Sequence, residues 1–338
     1  INKLKFLFII LRLFSPEVAH SISLNSLKLI HRLGLIRIIA SKNLGSPDQY
    51  RLDDLVFKNR LGIAAGLDKN GDFIDSLGAL GFGFIEVGTI TPLAQEGNPK
   101  PRIFRVFKEN AIINRLGFNN KGVDYLVNKL KSRNYKGIVG VNIGANKESK
   151  GNKRIADYVE CFNKVYEFSD YITINISSPN TPDLRDLHNK ENISELLRSI
   201  DNQKKLFNED KPVFLKISPD ESSETLKTII DAVKDFSISG LIVSNTTIDK
   251  SLLKDTSFIN ESGGLSGEPI FNKSTQLIYS IKQIDPSIPI IGVGGVIDKN
   301  GYIKKLDAGA ELVQIYTGFI LKGPNIISEL FINLFWTD

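Results

Sequence analysis

From residue 61 onward, short apolar runs alternate with stretches in which apolar positions recur at every third or fourth place. The short runs are rich in Val and Ile and are bounded by Gly, Pro, Asn or Ser, as buried strands are. They fall at 61–65, 84–87, 138–142, 171–176, 213–217, 241–244, 290–293 and 312–315. Helical periods follow them at 71–80, 120–132, 155–168, 190–207, 222–235, 272–284 and 299–307, with a last one at 324–335. Eight apolar strands, each followed by a helix, predict an α/β protein of the (β/α)8 TIM-barrel class rather than an open sheet. A short hairpin over 50–60 precedes the first unit.

Ahead of the barrel the pattern changes. Residues 3–14, KLKFLFIILRLF, hold nine apolar residues in twelve. That run is too short to span a bilayer, and Arg12 interrupts it. No small-residue cleavage site follows it. Ser15-Pro16-Glu17 reads instead as the N-cap, first-turn proline and first-turn acid of a second helix. Ile22, Leu24, Leu27, Ile30, Leu33, Leu35, Ile36 and Ile39 continue it at helical spacing, with Lys28, His31 and Arg32 on other faces. Residues 43–54 are polar and turn-rich. The chain therefore divides into a small N-terminal helical extension, 1–42, and a barrel domain, 43–338.

Composition narrows the chemistry. Apolar residues make up 41% and charged residues 24%, a balance that allows a large core. One cysteine, Cys161, excludes an intramolecular disulfide and a cysteine zinc cluster. Three histidines, His20, His31 and His188, leave little for a metal site, and no metal is expected. The net charge of +5 is uneven. Residues 1–42 hold seven Lys/Arg against one acid, Glu17, and the remainder is close to neutral. Two apolar, basic helices match an interfacial anchor on an anionic membrane surface. The near-neutral body argues against a nucleic-acid partner.

The candidate chemistry sits at the strand ends, where a barrel of this class carries its active site. The stretch Tyr171-Ile-Thr-Ile-Asn-Ile-Ser-Ser-Pro-Asn180 runs from a strand into a proline-stopped loop. It brings Asn175, Ser178 and Asn180 together, uncharged groups suited to a planar amide-bearing substrate and a proton transfer. Gly294-Gly295 and Thr317-Gly318 follow the last two strands, the usual phosphate position of barrels, where backbone N–H groups and a short helix start hold a dianion. Gly263–Gly267 is expected to be a flexible loop near the same ligand. Lys216, inside an apolar strand, would stabilise negative charge on a reduced flavin or an enolate. Lys69 follows the first strand.

Taken together these blocks resemble dihydroorotate dehydrogenase along nearly the whole chain. The matching runs are AAGLDKNG from Ala64, EVGTITP from Glu86, PRIFR from Pro101, INRLGFNN from Ile113, VNIG from Val141 and NISSPNTP from Asn175. They continue with the lone Lys216, SNTT from Ser244, GGLSG from Gly263, GVGG from Gly292 and QIYTGF from Gln314. A serine base at Ser178 and the apolar N-terminal helices resemble the membrane-associated, quinone-dependent class. The soluble class, which uses fumarate or NAD, usually has cysteine as base, and Cys161 sits in a helical pattern.

The resemblance implies oxidation of (S)-dihydroorotate to orotate with FMN, then reoxidation by a membrane quinone, the redox step of de novo pyrimidine (UMP) synthesis. It implies Ser178 as the base, with hydride passing to FMN. It places FMN against Ala65, Gly66, Leu67, Asp68, Lys69, Thr89, Asn142, Asn175, Lys216, Ser244, Gly267, Gly295, Tyr316 and Thr317. At Ser244 threonine is commoner in the family, and the hydroxyl is kept. Substrate would meet Lys69, Asn114, Arg115, Leu116, Gly117, Phe118, Asn175, Asn180, Asn245 and Thr246. Thr181 and a water would relay the proton outward. The N-terminal helices would form an apolar quinone route, with His20, Arg105 and Tyr316 as polar contacts. The expected location is peripheral, on the cytoplasmic face of the inner membrane.

Overall fold

A computed structural model describes residues 10–40, 48–178 and 190–331. Residues 10–12 are helical, 13 and 14 turn away from the helix, and the part of the first expected helix before residue 10 lies outside the described residues. Helix α1 (Pro16–Arg32) starts at the expected proline. It stops short of the expected Ile39 because Gly34 takes φ +72°, a left-handed turn, before a separate 3-10 turn at Ile36–Ile38. Strands β1 (Tyr50–Leu52) and β2 (Leu55–Phe57) pair as the expected hairpin.

The barrel begins with β3 (Leu61–Ile63), α2 (Ile74–Gly78) and β4 (Phe84–Ile90). An excursion then inserts β5 (Ile103–Val106) and β6 (Ala111–Asn114) before α3 (Val123–Ser132). Regular alternation resumes with β7 (Ile138–Ile143), α4 (Asn152–Val165), β8 (Tyr171–Asn175), α5 (Lys190–Lys204), β9 (Val213–Ile217), α6 (Ser223–Asp235) and β10 (Gly240–Val243). After β11 (Gly264–Gly267) come α7 (Phe271–Ile284), β12 (Ile290–Val293), α8 (Lys299–Asp307), β13 (Leu312–Ile315), α9 (Thr317–Lys322) and α10 (Asn325–Phe331). Strands β3, β4, β7, β8, β9, β10, β12 and β13 close into a parallel barrel, β13 pairing back to β3.

Large and small residues alternate inside the barrel. The Phe84 ring occupies the space a Cβ on Gly62 would need, and the Tyr171 ring does the same at Gly140. Phe57 of the hairpin packs edge-on against Phe84 at 5.2 Å, so the hairpin plugs this apolar end. A second core lies between the strands and the outer helices, and Leu24 and Leu27 of α1 belong to it.

Two features depart from the sequence reading. The connection after β4 supplies β5 and β6 of a three-stranded antiparallel sheet, β5-β6-β11, which β11 completes from the connection after β10. The Gly263–Gly267 segment is its third strand, not a flexible loop. A Cβ on Gly267 would stand 2.8 Å from the Ala111 Cα, so the glycine serves close backbone approach rather than mobility.

Candidate active site

At the ends of the barrel strands opens a cavity whose space free of protein atoms, open solvent at its mouth included, is about 960 Å³. Seven of the eight barrel strands bring residues there, at or just past the point where each gives way to its loop. Strand β3 leads to Ala64–Gly66 and Lys69, β4 carries Thr89, and β8 carries Asn175 and leads to Ser178. Lys216 comes from β9, Ser244–Thr246 follow β10, Val293–Val296 end β12, and Gln314–Gly318 end β13. The small sheet roofs the cavity with Asn114, Ser266 and Gly267, and Leu116–Phe118 add to the rim.

A continuous set of buried hydrogen bonds fixes the polar wall. The Glu86 carboxylate, with no solvent exposure, accepts from Asn142 Nδ2 at 2.8 Å, Tyr171 OH at 3.0 Å and Gln314 Nε2 at 2.7 Å. That fixes the Asn142 amide so that its Oδ1 accepts from Thr89 Oγ1 at 2.6 Å and Asn175 Nδ2 at 3.1 Å. Asn175 Oδ1 in turn accepts from the Ser177 hydroxyl at 3.0 Å, and Ser177 Oγ accepts from Asn245 Nδ2 at 3.0 Å. Such a chain holds each amide in one orientation, which presents a defined donor and acceptor pattern. Ser178 is buried at its edge.

Two ammonium groups face this wall. Burial lowers the pKa of Lys216, while the Glu86 carboxylate opposes that shift. Burial, with Arg102 nearby, lowers Lys69 to about 8, and its Nζ donates to Gly66 O at 3.1 Å. Both are placed to gain from an anionic ligand.

Most of the expected contacts share this cavity, and four do not. Asn142 stands behind Thr89 and Asn175 rather than on the cavity surface. Asp68 turns away and accepts from the backbone N–H of Asp72 and Phe73, at 2.9 and 2.7 Å, stabilising the loop before α2. Burial raises its carboxyl to about 6. Leu67 faces a second groove instead. Arg115 is drawn outward by Glu261, at 2.7 Å, and by Pro101 O. An ion pair at the surface outcompetes the cavity for its guanidinium. Asn180 and Thr181 lie outside the described residues. Sequence reading missed Ser266 and Gln314 on the wall, and Glu86 behind it. Glu86 carried a signal, an acid inside an apolar strand.

The second groove is apolar and runs between α1 and the barrel. Ala19, Ile22 and Leu27 form one side, and Leu67, Ile112 and Phe319 the other. His20, Arg105 and Tyr316 all line it, and Tyr316 and Asn114 also line the main cavity, so the two spaces adjoin. Burial and the Lys69 charge lower His20 to about 4, so its imidazole is neutral near pH 7. Burial pushes the Tyr316 phenol up to about 12. Arg105 clamps the chain before α1, donating to the carbonyls of Leu11, Arg12 and Phe14.

Residues 49–335 match the family model described as "Dihydroorotate dehydrogenase". A protein of Saccharophagus degradans called dihydroorotate dehydrogenase (quinone) is 47% identical over 318 residues, covering 93% of each chain. One of the same name from Acinetobacter baylyi is 45% identical over 320 residues, covering 93% of this chain and 94% of the other. Among solved structures, DHODH of Eimeria tenella in complex with ferulenol superposes with a TM-score of 0.84 at 32% identity, covering 93% of this chain and 89% of the other.

Proposed function

Since the chain belongs to the dihydroorotate dehydrogenase family, we propose that it oxidises (S)-dihydroorotate to orotate at the barrel mouth and delivers the electrons to a membrane quinone, in de novo pyrimidine synthesis. The observation that carries the reading is the meeting of Ser178, Lys69, Lys216, Asn114, Asn175 and Asn245 on one cavity, which adjoins an apolar groove through Tyr316.

The family implies a flavin, and we infer FMN. The donor set suits it. Gln314 lines the cavity, and its Oε1 is a buried acceptor without a partner in the described structure, a place for a ring N–H. Lys216 offers a buried positive charge to a ring that gains negative charge on reduction. Thr89, Asn175 and Ser244 offer further polar contacts, and Ala65, Gly66, Gly267, Gly295, Tyr316 and Thr317 the close walls. When bound, the flavin supplies a two-electron acceptor that a quinone can reoxidise.

The chain's own residues do the rest. Asn114, Asn175 and Asn245 present amide donors and acceptors to the amide and imide edges of dihydroorotate. Lys69, still largely protonated near neutral pH, pairs with the substrate carboxylate. Ser178 Oγ takes the proton from ring carbon five. A hydroxyl is a weak base at its ordinary pKa, so the reaction depends on burial and on an outward path for the proton, to which this reading assigns Thr181. Asn180 completes the substrate set. His20, Arg105 and Tyr316 would meet the quinone head.

Membrane contact through residues 1–42, on the cytoplasmic face of the inner membrane, belongs to the same proposal. Leu13, Phe14, Val18, Ile22, Leu29 and Leu33 are exposed on this segment, and no helix of the described residues is long and apolar enough to cross a membrane. The test is spectroscopic and kinetic. The purified protein should show a flavin spectrum that bleaches when dihydroorotate is added without oxygen, and ubiquinone or menaquinone should restore it. Restoration at equal rates by fumarate or NAD would overturn the quinone assignment.

A further inference from the structure

Lys305 of α8 has no solvent exposure. Its Nζ donates to Ser274 Oγ at 2.6 Å and lies 5.3 Å from the centre of the Phe271 ring. Burial alone lowers its pKa to about 7, with no carboxylate of the described residues contributing to the shift. A buried ammonium without an anion is costly, so burial alone drives the group toward the neutral amine, and an anion close by would favour its charged form.

The same two neighbours back the loop that ends β12. Ser274 Oγ lies 3.1 Å from Gly294 O. The Phe271 backbone presses on the next residue, where a Cβ on Gly295 would come 2.5 Å from the Phe271 Cα. Gly294 and Gly295 line the cavity. Lys305 therefore stands one side chain behind the loop to which the FMN reading assigns the phosphate.

We propose that Lys305 is a positioning residue for a phosphomonoester dianion, its charge acting through Ser274 and the Gly294-Gly295 loop to favour FMN over a flavin without phosphate. This rests on the FMN reading above. In a site closed to water the attraction is weakly screened, and a dianion doubles it. The opposing view makes Lys305 a filler, its Cδ standing 3.5 Å from where a Cβ on Gly292 would be.

Two neutral replacements of similar length separate these views. Lys305→Met keeps the volume, and Lys305→Gln keeps a donor for Ser274, so either can be read if the other folds poorly. The whole chain, stripped of flavin by dialysis, is titrated with FMN and with riboflavin, following flavin fluorescence. We expect FMN affinity to fall about tenfold while riboflavin affinity stays within about twofold, so that the ratio of the two collapses. An unchanged ratio, or equal loss of both flavins, in the folded variants overturns the role of Lys305. Wild-type protein that binds riboflavin as tightly as FMN would instead overturn the FMN reading itself.

Discussion

Ser178 shows how a residue can be found without its neighbours being understood. Its place after a strand and before Pro179 was legible, because a proline that stops a strand leaves the preceding side chains at the rim. What surrounds it was not, because the amide chain from Glu86 to Asn245 joins residues far apart in sequence. Asp68 and Arg115 mark the same limit, since nothing in the order of residues says which way a side chain turns. If Ser178 removes the proton, Ser178→Ala should lower the rate of dihydroorotate-driven flavin bleaching about 10²–10⁴-fold. Flavin content and orotate affinity should stay near wild type, because the amide chain closes through Ser177 instead. Rapid-mixing spectroscopy of the flavin band measures both, and near-normal bleaching would remove Ser178 from the reaction.

At the level of elements, the eight barrel strands were legible because each is a short apolar run between turn residues. The sheet β5-β6-β11 was not, because its strands are short, and one is glycine-rich and pairs across a long stretch of chain. That sheet also receives α1. Glu17, the lone acid of residues 1–42, accepts from Arg102 Nη2 at 2.7 Å and Nε at 3.1 Å. Arg102 is buried and also holds the carbonyls of Glu96 and Asn98. These two bonds to one carboxylate oxygen, with Lys28 donating to Asp72 O at 2.9 Å, set the distance between α1 and the barrel. Glu17→Gln should therefore loosen one wall of the groove while leaving the main cavity's lining in place, its one effect there being loss of a charge that supports the Lys69 ammonium. The expected result is a rise of about threefold to tenfold in the quinone KM, with the rate of flavin bleaching at saturating dihydroorotate unchanged. Equal loss in both half-reactions would mean that the pair supports the barrel as a whole.

For the whole molecule, the question is whether two functions divide along the chain. Every residue of the main cavity comes after Ile63, whereas one side of the groove comes from α1. Charge divides in the same way, +6 over residues 1–42 and about neutral beyond them. Apolar exposure follows, with Leu13 at 83% and Leu33 at 62%. A chain lacking residues 1–42 should then keep dihydroorotate-driven bleaching within about twofold, yet lose about a hundredfold in reoxidation by long-chain quinones. A short, water-soluble quinone should suffer less, because it needs less of the apolar wall. Sedimentation with anionic vesicles should disappear in the shortened chain, and in the intact chain it should weaken as salt screens the basic segment. Leu24 and Leu27 pack into the main core, so removal uncovers apolar surface, and detergent is needed to keep the shortened protein in solution. If that protein still reduces long-chain quinones at the intact rate and still sediments with vesicles, the groove is not the quinone route, and the exposed helix face must be explained by another partner.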